Sequence, residues 1–174
     1  MNYSLLYIPV AIAFLFVIWT YIQMKKKDKG TPVMIEIADA IREGAMSFLR
    51  KEYFVLGIFV LVLAIILAVL PNCGWRVAVS FVFGATCSVC AGFIGMYVAT
   101  MANVRTAHAA KKAVNPALRI AFSSGTILGV TVVGLGLLGI LIVYWLFNDA
   151  TNIIFGFGFG ASSVALFARV GGGI

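Results

Sequence analysis

Arg169 is the only charged residue between Asp149 and Ile174, within the run FGFGFGASSVALFARVGGGI. A guanidinium in such a run can pair with a counter-charge or with water inside a membrane, an arrangement that marks ion paths and coupling sites. It can also snorkel to the interface on its aliphatic stem, since it lies sixteen residues after Ile153, about 24 Å along a helix. At 100° per residue, Gly158, Ser162, Ala165, Arg169 and Gly172 or Gly173 fall on one stripe. Ile153, Phe157, Val164, Phe167 and Ile174 fall roughly opposite. The pattern places Arg169 and Ser162 on a close-packed, small-residue side and turns the bulky residues toward lipid or outer helices.

The remaining chemistry-bearing residues are sparse. The carboxylates are Asp28, Glu36, Asp39, Glu43, Glu52 and Asp149, and none lies inside an apolar run. Metal-assisted phosphoryl hydrolysis requires clustered carboxylates to hold its ions, and proton pumping requires titratable groups within the membrane. No catalytic residue, metal ligand or cofactor-binding residue is therefore assigned in this chain, and the counter-charge of Arg169 is expected outside it. His108, the single histidine, has no carboxylate near it in sequence and reads as a solvated loop residue rather than a base. Cys87-Ser-Val-Cys90 has CxxC spacing but no second pair and no histidine nearby, so small buried thiols are expected. Gly156-Phe-Gly-Phe-Gly-Ala161 loosely fits a dinucleotide fingerprint, yet it lacks the preceding strand and the downstream acid.

The elements that must position Arg169 follow from composition. The 174 residues are 63% hydrophobic and 11% charged, whereas a soluble domain of this size is about a quarter charged. The fold class is all-α: a polytopic transmembrane helical bundle in a lipid bilayer. Five runs can cross a hydrocarbon core of about 30 Å: residues 3–24, 53–70, 77–102, 120–147 and 153–174, in a single transmembrane domain over 1–174. Segments 25–53 and 103–119 hold seven and four of the 13 basic residues. The excess of cytoplasmic positive charge sets the N-terminus outside and Ile174 at the cytoplasmic side. Basic residues confined to loops between spans also account for the net charge of +7 without a nucleic-acid partner.

Residues 32–52 form an amphipathic cytoplasmic extension of the second span. Thr31-Pro32 reads as an N-cap followed by proline at the first helical position. Met34, Ile37, Ala38, Ile41, Ala45, Phe48 and Leu49 recur at helical spacing, with Glu36, Asp39, Glu43 and Arg50 on another face. This segment is either an interfacial helix with a solvated charged face or a docking surface for another cytoplasmic part. Gly125-Thr-Ile-Leu-Gly129 and Gly156-Phe-Gly-Phe-Gly160 fit the small-xxx-small pattern of close helix packing.

Three segments together resemble the membrane-integral, ion-translocating pyrophosphatases: Ile41-Arg-Glu-Gly-Ala-Met-Ser-Phe-Leu-Arg-Lys-Glu-Tyr53, Gly95-Met-Tyr-Val-Ala-Thr-Met-Ala-Asn-Val-Arg-Thr-Ala-His-Ala-Ala110, and the run from Gly156 to Ile174. The resemblance implies an N-terminal fragment of a larger bundle of about sixteen helices in two rings, with spans one to four outer and span five inner. It implies a homodimer that hydrolyses cytoplasmic diphosphate with Mg²⁺ and moves H⁺ or Na⁺ outward. Arg169 matches the arginine of the family's ion-coupling region, and Ser162 a small polar position lining the same path. The Asp- and Lys-rich diphosphate motif and the Mg²⁺ ligands would lie beyond residue 174, on the remaining helices of the same polypeptide. The fragment alone is therefore expected to be inactive, and neither the ion nor K⁺ dependence is assigned. The alternative is a small self-contained oligomeric membrane protein, an exporter or assembly factor. Exporters of that size carry an acidic residue within a span, and none is seen in this sequence.

Overall fold

The computed structural model describes residues 7–71, 73–147 and 151–171. They form five helices: α1 (Tyr7–Lys25), α2 (Pro32–Val69), α3 (Gly74–Ala110), α4 (Val114–Phe147) and α5 (Thr151–Gly171). All five are long and apolar enough to cross a membrane, and among the described residues there is no strand. The 19 residues of α1 reach about 28 Å at 1.5 Å each, close to one hydrocarbon thickness. Helices α2, α3 and α4 have 38, 37 and 34 residues and must extend beyond it.

Helix α2 is continuous from its amphipathic segment into its apolar one. Thr31 is the N-cap residue, in extended conformation, and Pro32 opens the first turn. Thr31 caps through its backbone, since the Ile35 N–H donates to the Thr31 carbonyl at 3.1 Å and the hydroxyl makes no capping bond. The N-terminal half of α2 is only partly seated. Leu49 is buried and Met34, Ala38 and Ala45 are half-buried, whereas Ile37, Ile41 and Phe48 are exposed beside Glu36, Asp39 and Glu43. The Arg42 guanidinium lies over the Tyr97 ring, 4.3 Å from its centroid, and fastens this segment to α3.

Helix α3 is the axis of the bundle: α2, α4 and α5 all pack on it, while α1 rests chiefly on α4. One apolar cluster, containing Met24, Val98, Met101, Ala102, Ile120 and Ile127, joins α1, α3 and α4. A second, of Val77, Val143, Ile153 and Phe157, joins α3, α4 and α5 at the other end. Leu56, Ala85 and Val164 tie α2 to α3 and α5.

Two corrections to the sequence reading concern helix ends and glycines. Helix α3 continues to Ala110, past the expected end of its span at 102, so His108 stands on a helix and not in a loop. The basic residues after Ala102 mark where hydrocarbon ends, but Arg, Lys and Ala are good helix formers and do not stop the helix. A Cβ added at Gly125 or Gly129 would meet nothing within 4 Å, so the pair makes no close seam among the described residues. The close seam runs between α3 and α5. A Cβ added at Gly84 would meet the Phe157 carbonyl, and one at Gly160 would meet the Phe81 carbonyl.

Seven hydroxyl groups in the helices are satisfied locally. Thr20, Thr86, Thr100, Thr126, Thr131, Ser123 and Ser163 each donate to the carbonyl four residues back. This back-bonding lets a hydroxyl reside in hydrocarbon without an interhelical partner.

Candidate functional site

The two faces of α5 have opposite fates. Ile153, Phe157 and Val164 are 2–4% exposed and are built into α3 and its neighbours. Gly156 and Gly160 join them on that side, where a Cβ at Gly156 would stand 2.9 Å from the Val77 carbonyl. Ser80 of α3 donates to the Ile153 carbonyl at 2.6 Å and pins the first turn of α5. Aromatic contacts extend the seam: Phe81 with Phe159 at 5.4 Å between centroids, and Phe83 with Phe157 at 5.8 Å. Lower on the helix, Phe167 meets Phe59 of α2 at 4.7 Å.

Gly158, Ser162, Ala165 and Arg169 occupy the other stripe, and all four are exposed. The sequence pattern puts these residues on one face, as observed, but assigns that face to close packing. Among the described residues it is the bare face, and the bulky residues make the packed one. The reason lies in the distribution of glycine: Gly156, Gly158 and Gly160 alternate, so small residues occur on both sides of the helix and do not say which side is seated. Gly172, Gly173 and Ile174 lie outside the described residues.

Ser162 and Ala165 line a groove of about 430 Å³ that α5 makes with α3, edged by Tyr53 of α2 and Leu128 of α4. Tyr53 closes one side by donating its hydroxyl to the Val89 carbonyl at 3.1 Å. Among the described residues Ser162 makes no hydrogen bond and Arg169 no ion pair; the neighbouring Ser163 is satisfied by Phe159 O at 2.8 Å. A free hydroxyl and a free guanidinium thus share an open face of an otherwise tightly seated helix. Such a pair is suited to meeting a carboxylate, water or a passing cation's counter-charge.

The donor set does not fit a divalent metal. Mg²⁺ is held through oxygen ligands, usually carboxylates with substrate phosphates. Among the described residues no group of three or more His, Cys, Asp or Glu side chains comes together. Cys73, Cys87 and Cys90 are free thiols, Cys73 and Cys87 half-buried and Cys90 exposed, so the expectation of small buried thiols holds only in part. Gly156 to Ala161 lie within α5, without the strand–turn–helix context of a dinucleotide loop.

Two positions escape sequence reasoning. Arg105 is 3% exposed. It donates through Nε to the Lys27 carbonyl (3.1 Å), through Nη2 to the Lys25 carbonyl (3.4 Å), and through Nη1 to Met101 O (2.7 Å). It caps the C-terminal end of α1, where carbonyls lack intrahelical donors and the helix dipole favours a cation. The available signal was its phase, since Val98, Met101, Ala102 and Arg105 share one face and the first three are core residues.

His108 is the second. Its Nε2 lies 3.5 Å from Asp28 Oδ2, and its Nδ1 is buried with no hydrogen-bond partner. Gly30, at φ 88°, fits beneath the ring, where a Cβ would come 2.7 Å from Nδ1. Asp28 also accepts from the Gly30 N–H at 2.9 Å. That hydrogen bond, with His108 and Lys112 nearby, holds the Asp28 carboxyl below its ordinary range. The carboxylate missing near His108 in sequence is therefore supplied by the α1–α2 turn.

Comparison with known proteins agrees with the segments quoted from the sequence. The family model described as inorganic H+ pyrophosphatase matches residues 11–174. The chain is 48% identical over 172 residues, 99% of its length, to a provisionally assigned K(+)-stimulated pyrophosphate-energized sodium pump of Clostridium tetani. It is 43% identical over 149 residues, 86% of its length, to a K(+)-insensitive pyrophosphate-energized proton pump of Methanosarcina mazei. A similar proton pump of Moorella thermoacetica is 43% identical over 169 residues, 94% of the chain. The chain spans about a quarter of the length of these curated relatives, 25%, 22% and 25% respectively.

Proposed function

Because this chain belongs to the inorganic H+ pyrophosphatase family, we propose that it is the N-terminal part of a primary ion pump. In that reading the whole polypeptide couples hydrolysis of cytoplasmic diphosphate to translocation of H⁺ or Na⁺. The single observation that carries the proposal is the family match over residues 11–174, with relatives named as pyrophosphate-energized pumps. It leaves the self-contained exporter or assembly-factor reading without support.

The chain's own contribution is a scaffold and one functional face. Helix α3 holds α5 at backbone distance, and side chains of α2 and α4 pack beside it, which fixes the height and rotation of Arg169 and Ser162. The bare stripe then faces helices of the same polypeptide that supply a carboxylate counter-charge. Arg169 acts as a fixed cation whose pairing with that carboxylate opens and closes the ion path. Ser162 offers a small hydroxyl to an ion or water passing beside it. In this reading diphosphate and Mg²⁺ bind outside this chain, a placement supported by the lack of clustered carboxylates among its described residues. A homodimer is part of the proposal and follows from the family resemblance.

The test uses the full-length polypeptide in proteoliposomes. Added Mg²⁺ and diphosphate should generate an H⁺ or Na⁺ gradient, and running the assay with and without K⁺ assigns the ion and the K⁺ response together. The purified 174-residue chain should release no phosphate from diphosphate. Mg²⁺-dependent release by that chain would refute the placement of the hydrolytic site outside it.

A further inference from the structure

We propose that the cytoplasmic mouth between α1, α3 and α4 binds the phosphate headgroup of an anionic phospholipid. A groove of about 790 Å³ opens there, sharing no lining residue with the groove beside α5. Its cationic lining comes from three elements: Lys27 after α1, Arg105 and His108 on α3, Lys112 in the α3–α4 turn, and Arg119 on α4. Four of these are permanent cations. Asp28 is the single acid of the lining, and its carboxylate is already engaged by the Gly30 N–H and faces His108.

The groove is built rather than merely basic. Arg105 is buried and held by three backbone carbonyls. A guanidinium has five N–H groups, so a fixed charge with unspent donors stands at the base. The first turn of α4 also ends there, at Asn115 and Pro116, and adds the positive end of a long helix.

Apolar residues select a lipid over a free anion. Met24 and Ile120 floor the groove, and Trp19 forms its membrane-side rim at 56% exposure. Trp19 is six residues before Lys25, about 9 Å along α1, the interfacial depth at which tryptophan is enriched. The positive-inside orientation places the groove at the cytoplasmic leaflet, where anionic lipids face basic pockets between helices. A headgroup phosphate can sit among the cations while an acyl chain continues along Trp19.

The test is native mass spectrometry of the full-length polypeptide titrated separately with phosphatidylglycerol, phosphatidylcholine and inorganic phosphate. Wild type should retain phosphatidylglycerol at least about tenfold more tightly than phosphatidylcholine. Lys112→Gln with Arg119→Gln, both exposed positions, should weaken phosphatidylglycerol binding about tenfold to thirtyfold and leave phosphatidylcholine unchanged. Lys27→Gln should weaken it in the same direction from the opposite wall. Equal retention of the two lipids, or variants that keep the wild-type preference, would overturn the proposal. Displacement of phosphatidylglycerol by millimolar inorganic phosphate would overturn it in favour of a free-anion site.

Discussion

Helix α5 carries two stripes made of similar residues, and they differ in almost every physical respect. One, with Gly156, Phe157, Gly160 and Val164, meets α3 at backbone distance and leaves no room for a methyl group. The other, with Gly158, Ser162, Ala165 and Arg169, is exposed among the described residues, and a Cβ at Gly158 would meet nothing within 4 Å. Membrane helices gain little from the hydrophobic effect against one another, so close van der Waals packing must hold α5 in place. The seated stripe supplies that packing. The bare stripe is then free to carry groups that packing alone would not select.

The largest way to break this comparison is to fill the seam. Gly160→Leu should cost about 3 kcal/mol or more, because the new side chain meets the Phe81 backbone and cannot be relieved by rotamer changes. Thermal unfolding in detergent should show a lowered midpoint, with Gly158→Leu as the control that leaves it nearly unchanged. Equal effects at the two glycines would mean that the faces are not distinct.

Next in size is the cap at the far end of the bundle. Arg105→Ala removes three charge-assisted hydrogen bonds to the carbonyls of Lys25, Lys27 and Met101 and leaves a buried gap. A loss of about 2–4 kcal/mol is expected, read as faster hydrogen exchange around Lys25 to Lys27. Arg105→Lys should recover only part, since one ammonium cannot match the fork.

A matched pair of serine substitutions sharpens the contrast further. Ser80→Ala deletes the bond to Ile153 O and should cost about 1 kcal/mol. Ser162→Ala removes a hydroxyl that makes no hydrogen bond among the described residues, so stability should stay within about 0.5 kcal/mol, and transport should alter instead. Unfolding midpoints and ion flux measured on the same preparations separate the two.

The smallest effect is a pH response at the α1–α2 turn. The folded-state pKa of Asp28 lies below its ordinary value, chiefly through the Gly30 N–H. The stabilisation is thus complete above about pH 4, the unfolded carboxylate value, and is lost as pH falls through the lower folded value. Exchange at the Gly30 amide, corrected for intrinsic rate, should accelerate below about pH 4, and Asp28→Ala should abolish that pH dependence.

Much of this arrangement was legible in the sequence. Five apolar runs, the proline after Thr31, and an apolar helical period from Met34 to Leu49 that Gly44 does not interrupt were enough to give five helices and a continuous α2. The shared face of Ser162, Ala165 and Arg169 followed from helical geometry alone. Which face of α5 is seated did not, because glycine supplies both stripes and only the partner backbone at Phe81 and Phe157 decides between them. The end of α3 was hidden because the residues that terminate a membrane span, Arg105 to Lys112, are also good helix formers. His108 and Arg105 were misread or missed because their partners, Asp28, Lys25 and Lys27, come from a distant turn. Tertiary contacts of that range leave no mark on local spacing.

The most direct test of the central claim is the number of ions moved per diphosphate hydrolysed in proteoliposomes by full-length Arg169→Ala. The bare-face account predicts that the variant still folds, because the contacts that seat α5 on α3 do not include Arg169. Ion transport per diphosphate should fall well below the wild-type ratio, because intramembrane charges of this kind mark ion paths. A variant that transports at the wild-type ratio would contradict the account and return Arg169 to a snorkelling residue at the membrane interface.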